Sequence, residues 1–389
     1  MLSLMQLPAL SLASSSPAPR GRAPSMRLLE NGGGGGGAAS PLLGGAAASF
    51  AFPSASPPSL SVGDGVEVSP LGFGTWAWGN KLLWGYDEDA DAELQAAFDL
   101  VGTPASPFDR RRFFFDTGDS YGTGALEGRA EALLGKFRRE SARPERCVIG
   151  TKLAVYPTRL TGASFETACR GSLARMGRER IELVQAHWSA ANFQPWQEPA
   201  LWDGLARCHE AGLCGAVGTS NFGPSQLRKV NRYWRDRGVP HAVNQVQFSL
   251  LSQLPLETGL LDECADLGVT CIGYSPLGLG VLSGRYDERD GRLPSGPRGY
   301  LFRQLLPSCR PLLGTLAEVA DARGVSSSAV AVNWAMSKGV LCIAGMRNRA
   351  QVRETLAALT FRLSGAEVDE LEAAAKGAKK ATQNIFQTA

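Results

Sequence analysis

An α/β fold, built as a single (β/α)8 TIM barrel, is what this chain predicts, and three observations predict it. Eight short apolar runs recur, near 71–75, 112–117, 147–152, 182–187, 214–220, 242–247, 270–275 and 341–344, each strand-like in length and composition. Amphipathic stretches separate them, which implies parallel pairing through right-handed crossovers. The repeat spans about 320 residues, a length that suits one closed barrel with insertions. An open doubly wound sheet would need a glycine-rich turn after its first strand, and none follows 71–75.

The helical stretches lie near 88–101, 124–139, 163–177, 199–211, 224–237, 257–267 and 310–337, with a last pair near 349–358 and 365–376. Two segments read as insertions. GTPASPFDRRR, 102–112, lengthens the link before the second strand. Residues 277–299 form a long loop after the seventh, on the face where barrel loops carry ligand chemistry.

Residues 1–62 differ from the rest. They are rich in Ser, Ala, Pro and Gly, include a six-glycine run at 32–37, and carry only Arg20, Arg22, Arg27 and Glu30 as charges. Such text buries too little apolar area to order itself, and an acid-poor leader bearing Ser and Arg fits an organelle transit peptide. The domain assignment is therefore a disordered leader over 1–62 and a barrel over 63–389.

Composition narrows the class further. The chain has 389 residues, 44% hydrophobic and 20% charged, with a formal net charge of +3, too small to argue for a nucleic-acid surface. No apolar run is long enough to cross a bilayer. The eight cysteines are scattered without a CxxC spacing, so packed, reduced thiols are expected, with a redox-controlled pair as the minor alternative. Three histidines and no HExxH argue against a zinc enzyme, and no metal is expected.

The chemistry-bearing residues sit at strand ends. FFFDTGDSYG, 113–122, ends a strand in Asp116, and a turn then delivers Tyr121. CVIGTK ends the next in Lys152, and IELVQAHW carries a third to His187. A free phenol, with a pKa near ~10, is a poor proton donor at neutral pH. A nearby ammonium lowers that value, so Lys152 is expected to tune Tyr121, Asp116 to hold Lys152 protonated, and His187 to orient a carbonyl oxygen. Singly, each has an ordinary structural reading; four around one barrel mouth favour function. Trp76, Trp78 and Trp188 are expected to line a flat substrate rim. Trp84 packs the first loop as readily.

This ordered set resembles the aldo-keto reductase superfamily. The likeness covers Val66 to the C-terminus. It includes the FDTxxxYG turn at Asp116 and Tyr121, TK at Thr151–Lys152, HW at His187–Trp188, GTSN at 218–221, NQVQ at 244–247 and YSPLGLGVLSG at 274–284. By that resemblance Tyr121, Lys152, Asp116 and His187 take the family's tetrad roles. Ser220, Asn221 and Gln245 hold the nicotinamide amide, and Tyr274 stacks on its ring. Ser275, Leu277, Gly278, Gly280 and Gly284 belong to the pyrophosphate loop. Arg347, Asn348, Gln351 and Glu354 match the adenosine-phosphate segment. An arginine there argues for NADPH over NADH. Arg349 and Arg353 read equally well as solvated helix charges. Thr355 departs from the asparagine of many relatives.

The resemblance implies NADPH-dependent reduction of a small-molecule carbonyl, with no nucleic acid, membrane or required protein partner. The acid-poor leader, the long loop and the terminal QNIFQTA resemble plant chloroplast pyridoxal reductases. That likeness implies reduction of pyridoxal to pyridoxine in the plastid stroma, with mitochondrion or cytoplasm as alternatives. Two other functions stay open: a broad-specificity plastid aldehyde reductase, and an NADPH-binding regulatory subunit resembling the potassium channel β subunits.

Overall fold

All eight apolar runs become parallel strands of one closed barrel. The computed structural model describes residues 59–106, 109–380 and Thr388. The barrel strands are β3 (Leu71–Gly74), β4 (Phe113–Asp116), β5 (Cys147–Leu153), β6 (Ile181–Ala186), β7 (Cys214–Ser220), β8 (His241–Gln247), β9 (Thr270–Tyr274) and β10 (Leu341–Gly345). They run in sequence order, and β10 closes on β3. A short hairpin precedes them, β1 (Leu60–Ser61) pairing with β2 (Glu67–Val68).

Strand alternation decides which side chains fill the barrel. Phe114, Val148, Leu183, Ala216, Val243, Ile272, Leu341 and Ile343 make one interior cluster with Val62 and Val68 of the hairpin. The hairpin thereby plugs the N-terminal end. At Gly63, φ is +95°, and a Cβ would lie 2.4 Å from that of Ala216, so only glycine lets this turn seat itself. Inside β5, a Cβ on Gly150 would sit 2.4 Å from Phe114 Cζ; its absence gives that ring the barrel centre. With the floor filled, the same parity carries Asp116, Lys152, Gln185, Ser220, Gln245 and Tyr274 inward at the open end.

The outer helices bury one face each. Along Pro224–Asp236, Gln226, Leu227, Val230 and Trp234 are buried, close to the 3.6-residue period, while the arginines face out. Helix Gly162–Met176 starts on a capping box at Thr161 and Ser164 and stops at Gly177 with φ +64°. All eight cysteines are free and buried in this packing.

Several boundaries differ from the sequence reading. The stretch 310–337 is two helices, Pro297–Arg323 and Ser327–Ser337, parted at Gly324, with Ser326 capping the second. Pro307 and Pro311 lie inside the first helix and hide its true start at Pro297, so the 277–299 loop is shorter than expected. The stretch 257–267 is also two pieces, Leu254–Glu257 and Leu260–Asp266, divided at Gly259 with φ +69°. Leu60–Val62, assigned to the leader, are ordered in the plug. The rest of the leader reading, 1–58, lies outside the described residues, as does QNIFQTA apart from Thr388. No helix among the described residues is long and apolar enough to cross a membrane.

Candidate active site

One cavity opens at the C-terminal end of the barrel. It is lined by Asp116, Tyr121, Lys152 and His187 together with Ser220, Asn221, Gln245 and Tyr274. Strand register brings three residues distant in sequence together here: Asp116 pairs with Gly150, two residues before Lys152, and Lys152 with Gln185, two before His187.

Lys152 is 1% exposed, and its Nζ donates to Asp116 Oδ1 (2.5 Å), Asp116 Oδ2 (2.6 Å) and the Thr117 carbonyl (3.1 Å). The ammonium lies 5.0 Å from the centroid of the Tyr121 ring. Gln245 Nε2 donates to Asp116 Oδ1 at 2.7 Å, so this carboxamide steadies the acid that holds the lysine. Burial lowers the Lys152 pKa from its ordinary value, and the Asp116 charge opposes that shift.

The phenol behaves differently from expectation. Burial first, and the Asp116 carboxylate next, push Tyr121 well above 10. The lowering expected from Lys152 does not dominate, because desolvation outweighs it and the Asp116 carboxylate opposes it. Tyr121 therefore keeps its proton at neutral pH.

His187 is held neutral. Burial, then the charges of Lys152 and Arg159, drive its pKa well below 6.5. Its Nδ1 lies 3.4 Å from Ser120 Oγ; when Nδ1 accepts that hydroxyl proton, the ring hydrogen sits on Nε2. The ring packs against Tyr121 and Trp188, with centroid distances of 5.7 and 4.8 Å.

Beside this group, Asn221 takes a left-handed conformation, φ +64°. Its Nδ2 donates to the His187 carbonyl and to Ser220 Oγ, both at 3.2 Å, and its Oδ1 accepts from Tyr274 Oη at 2.9 Å. The Thr388 amide donates to the Asn221 carbonyl, and the Gly223 amide donates to Thr388 Oγ1.

The far end of the cavity is basic. Arg285, Arg298 and Arg347 converge there with Ser275, Gln351 and Glu354. The Trp84 indole lies 4.2 Å from the Arg298 guanidinium carbon and 5.1 Å from that of Arg347. Burial and then the Arg298 charge lower the Arg347 pKa. Two like charges held this close, with Arg298 Nε and Trp84 Nε1 buried and unpaired, make a donor set that suits an anion. Glu354 accepts from Arg285 across this region. Leu277 and Gly280 line the cavity, with Gly280 at φ +107°.

Not every expected residue reaches the cavity. Trp78 is fully buried in the wall, donates Nε1 to the Met346 carbonyl at 2.7 Å, and packs on Phe137. A turn after β3, with the Trp78 amide on the Thr75 carbonyl, sends Trp76 to the cavity and Trp78 into the helix layer. Asn348 caps helix Arg349–Leu356, its Oδ1 accepting from the Gln351 amide. Neither it, Gly278 nor Gly284 lines the cavity. Tyr286, Arg285 and Arg298 do, and sequence reasoning passed over their contribution; Trp84, which the sequence left between rim and loop packing, lines the cavity too. The arginines sit in or just after an insertion, where no strand parity marks them.

Comparison with known proteins places these residues in context. The model of the Aldo/keto reductase family matches residues 70–376. A chloroplastic pyridoxal reductase from Arabidopsis thaliana is 48% identical over 328 residues, covering 83% of this chain and 88% of that protein. L-glyceraldehyde 3-phosphate reductase from Escherichia coli is 29% identical over 314 residues, covering 76% and 85%. Among solved structures, a thermostable aldo-keto reductase crystallised with the inhibitor epalrestat superimposes with a TM-score of 0.60 at 24% identity. It covers 82% of this chain and 99% of its own. An aldo-keto reductase complexed with NADPH gives 0.59 at 22% identity, covering 81% and 87%.

Proposed function

Because the chain belongs to the Aldo/keto reductase family, we propose that it reduces the aldehyde of pyridoxal to the alcohol, drawing on NADPH. The observation that carries this reading is the buried Lys152–Asp116 pair beneath Tyr121, with a neutral His187 in the same cavity, in a chain 48% identical to a pyridoxal reductase. That relative is chloroplastic, which supports a plastid location for this chain too.

NADPH, when bound, supplies the hydride that reaches the carbonyl carbon. The protein handles the oxygen. Tyr121 gives its phenolic proton as charge develops there, and the ammonium of Lys152 stabilises the phenolate left behind. Asp116, steadied by Gln245, keeps that ammonium charged and aimed. His187, as a neutral ring, offers an N–H to the oxygen without competing as an acid. Ser220 and Asn221 would hold the nicotinamide carboxamide, with Tyr274 as the stacking face. Arg285, Arg298 and Arg347 suit the phosphates. Trp76 and Trp188 form an apolar rim for a flat aromatic aldehyde.

The test is steady-state turnover with NADPH on pyridoxal and on small aliphatic aldehydes. Pyridoxal is expected to show the larger kcat/KM. Equal values across the panel would replace the pyridoxal reading with a broad aldehyde reductase, and NADPH binding without any carbonyl turnover would replace it with a regulatory subunit.

The basic end makes a separate prediction. Arg347→Ala weakens NADPH by about 10- to 100-fold and NADH little, since a charge-assisted bond to a phosphate contributes about 1.5–3 kcal/mol. Titrations of both nucleotides against intrinsic fluorescence measure this; an unchanged ratio moves the 2′-phosphate contact to Arg285 or Arg298.

A further inference from the structure

We propose that Asp119 is a positioning residue for proton transfer: paired with Arg159, its buried carboxylate pins the turn carrying Tyr121 to the strand end carrying Lys152. This rests on the reading that Tyr121 and Lys152 move the proton. Two backbone bonds continue the β4–β5 ladder past the strand: the Thr117 amide on the Gly150 carbonyl and the Asp119 amide on the Lys152 carbonyl, both 2.9 Å. The Asp119 side chain then extends the seam. Its Oδ1 accepts from the Ala154 amide at 2.9 Å and its Oδ2 from Arg159 Nη1 at 2.6 Å. The same Nη1 donates to the Ala154 carbonyl at 2.6 Å, closing a ring of bonds around the chain just after Lys152.

Two further ties hold the partner loop in place. Gln197 Nε2 donates to the Tyr156 and Arg159 carbonyls, both 2.8 Å, which anchors this loop to the next one round the barrel. Tyr156 Oη donates to Glu127 Oε1 at 2.5 Å, a second strut to the segment after Tyr121. Tyr121 has no secondary structure of its own to fix it; it sits in a turn between β4 and a short 3-10 segment. A seam this dense is what sets the phenol relative to the ammonium.

The charge itself points to more than packing. Asp119 is 5% exposed, and burial pushes its carboxyl up against the pull of Arg159 and the Ala154 amide. A buried ion pair is seldom better for stability than apolar residues of the same volume. Here it does what apolar residues do not: it fixes direction at Ala154, and it brings the Arg159 charge to bear on His187.

The test is Asp119→Ala and Asp119→Asn beside Tyr121→Phe, with kcat, KM and NADPH affinity read separately and thermal unfolding followed. Asp119→Ala is expected to lower kcat by about 100-fold, the cost of an ångström-scale misplacement, while KM and NADPH affinity hold. Asp119→Asn keeps an acceptor for Ala154 and recovers kcat to within about 10-fold of the parent. If Asp119→Ala does not fold, Arg159→Met serves instead: its kcat falls, and Arg159→Lys restores it. Parent-level kcat in Asp119→Ala or Arg159→Met, with Tyr121→Phe inactive, overturns the proposal alone, as does parallel loss of kcat and NADPH binding. Full turnover in Tyr121→Phe overturns the underlying reading, and the proposal with it.

Discussion

Tyr121→Phe lowers kcat for carbonyl reduction by about 10³-fold, within the range of a lost general acid, and leaves NADPH affinity and KM near their parent values. The change removes one oxygen from a ring that is 7% exposed and packed on His187, so the cavity keeps its shape. What is lost is the proton at the reacting oxygen. Burial and Asp116 hold that proton on the phenol far above neutrality, and His187 stays uncharged far below 6.5. Neither group changes charge near neutral pH, so kcat of the parent enzyme is expected to be flat there. Absorbance decay of NADPH at saturating substrate measures both. Turnover near the parent rate in the phenylalanine variant, or a sharp ionisation near pH 7 in the parent, would remove Tyr121 from its role.

Lys152→Met has the second large effect, on stability as well as rate. It strips the counter-ion from Asp116, which is 2% exposed and is left with the Gln245 amide as a neutral donor. Breaking a buried pair from one side costs about 3–5 kcal/mol. Turnover falls by at least about 10²-fold, since the developing phenolate loses its stabilising charge. The double change Lys152→Met with Asp116→Leu separates the two effects: replacing both partners recovers most of the stability and none of the turnover. Urea unfolding measures the first and NADPH oxidation the second. A single variant as stable as the parent would mean that Asp116 takes up a proton at little cost, and that the pair is weaker than its geometry.

The convergence of Asp116, Tyr121, Lys152 and His187 on one cavity was legible in the sequence because strand ends are. Asp116, Lys152 and His187 close apolar runs, and barrel parity turns such positions towards one mouth. Trp78 shows where that logic stops: past β3 the chain turns, alternation no longer applies, and Trp76 and Trp78 part company. Arg298 was unreadable for another reason. It enters from a helix whose start is masked by internal prolines, after an insertion without periodicity. Asp119 drew no reading from the sequence, because its partner lies 40 residues away in a loop with no motif. The phenol's raised pKa was missed because sequence names the neighbouring charges but not how deeply the fold buries the ring.

The eight sulfurs carry a consequence of their own. All are enclosed, and burial drives Cys147, Cys214 and Cys342 up and Cys309 to about 11, so thiolate is scarce wherever oxidants or electrophiles arrive. Alkylation of these sulfurs is therefore expected to report unfolding, since a reagent must wait for the chain to open.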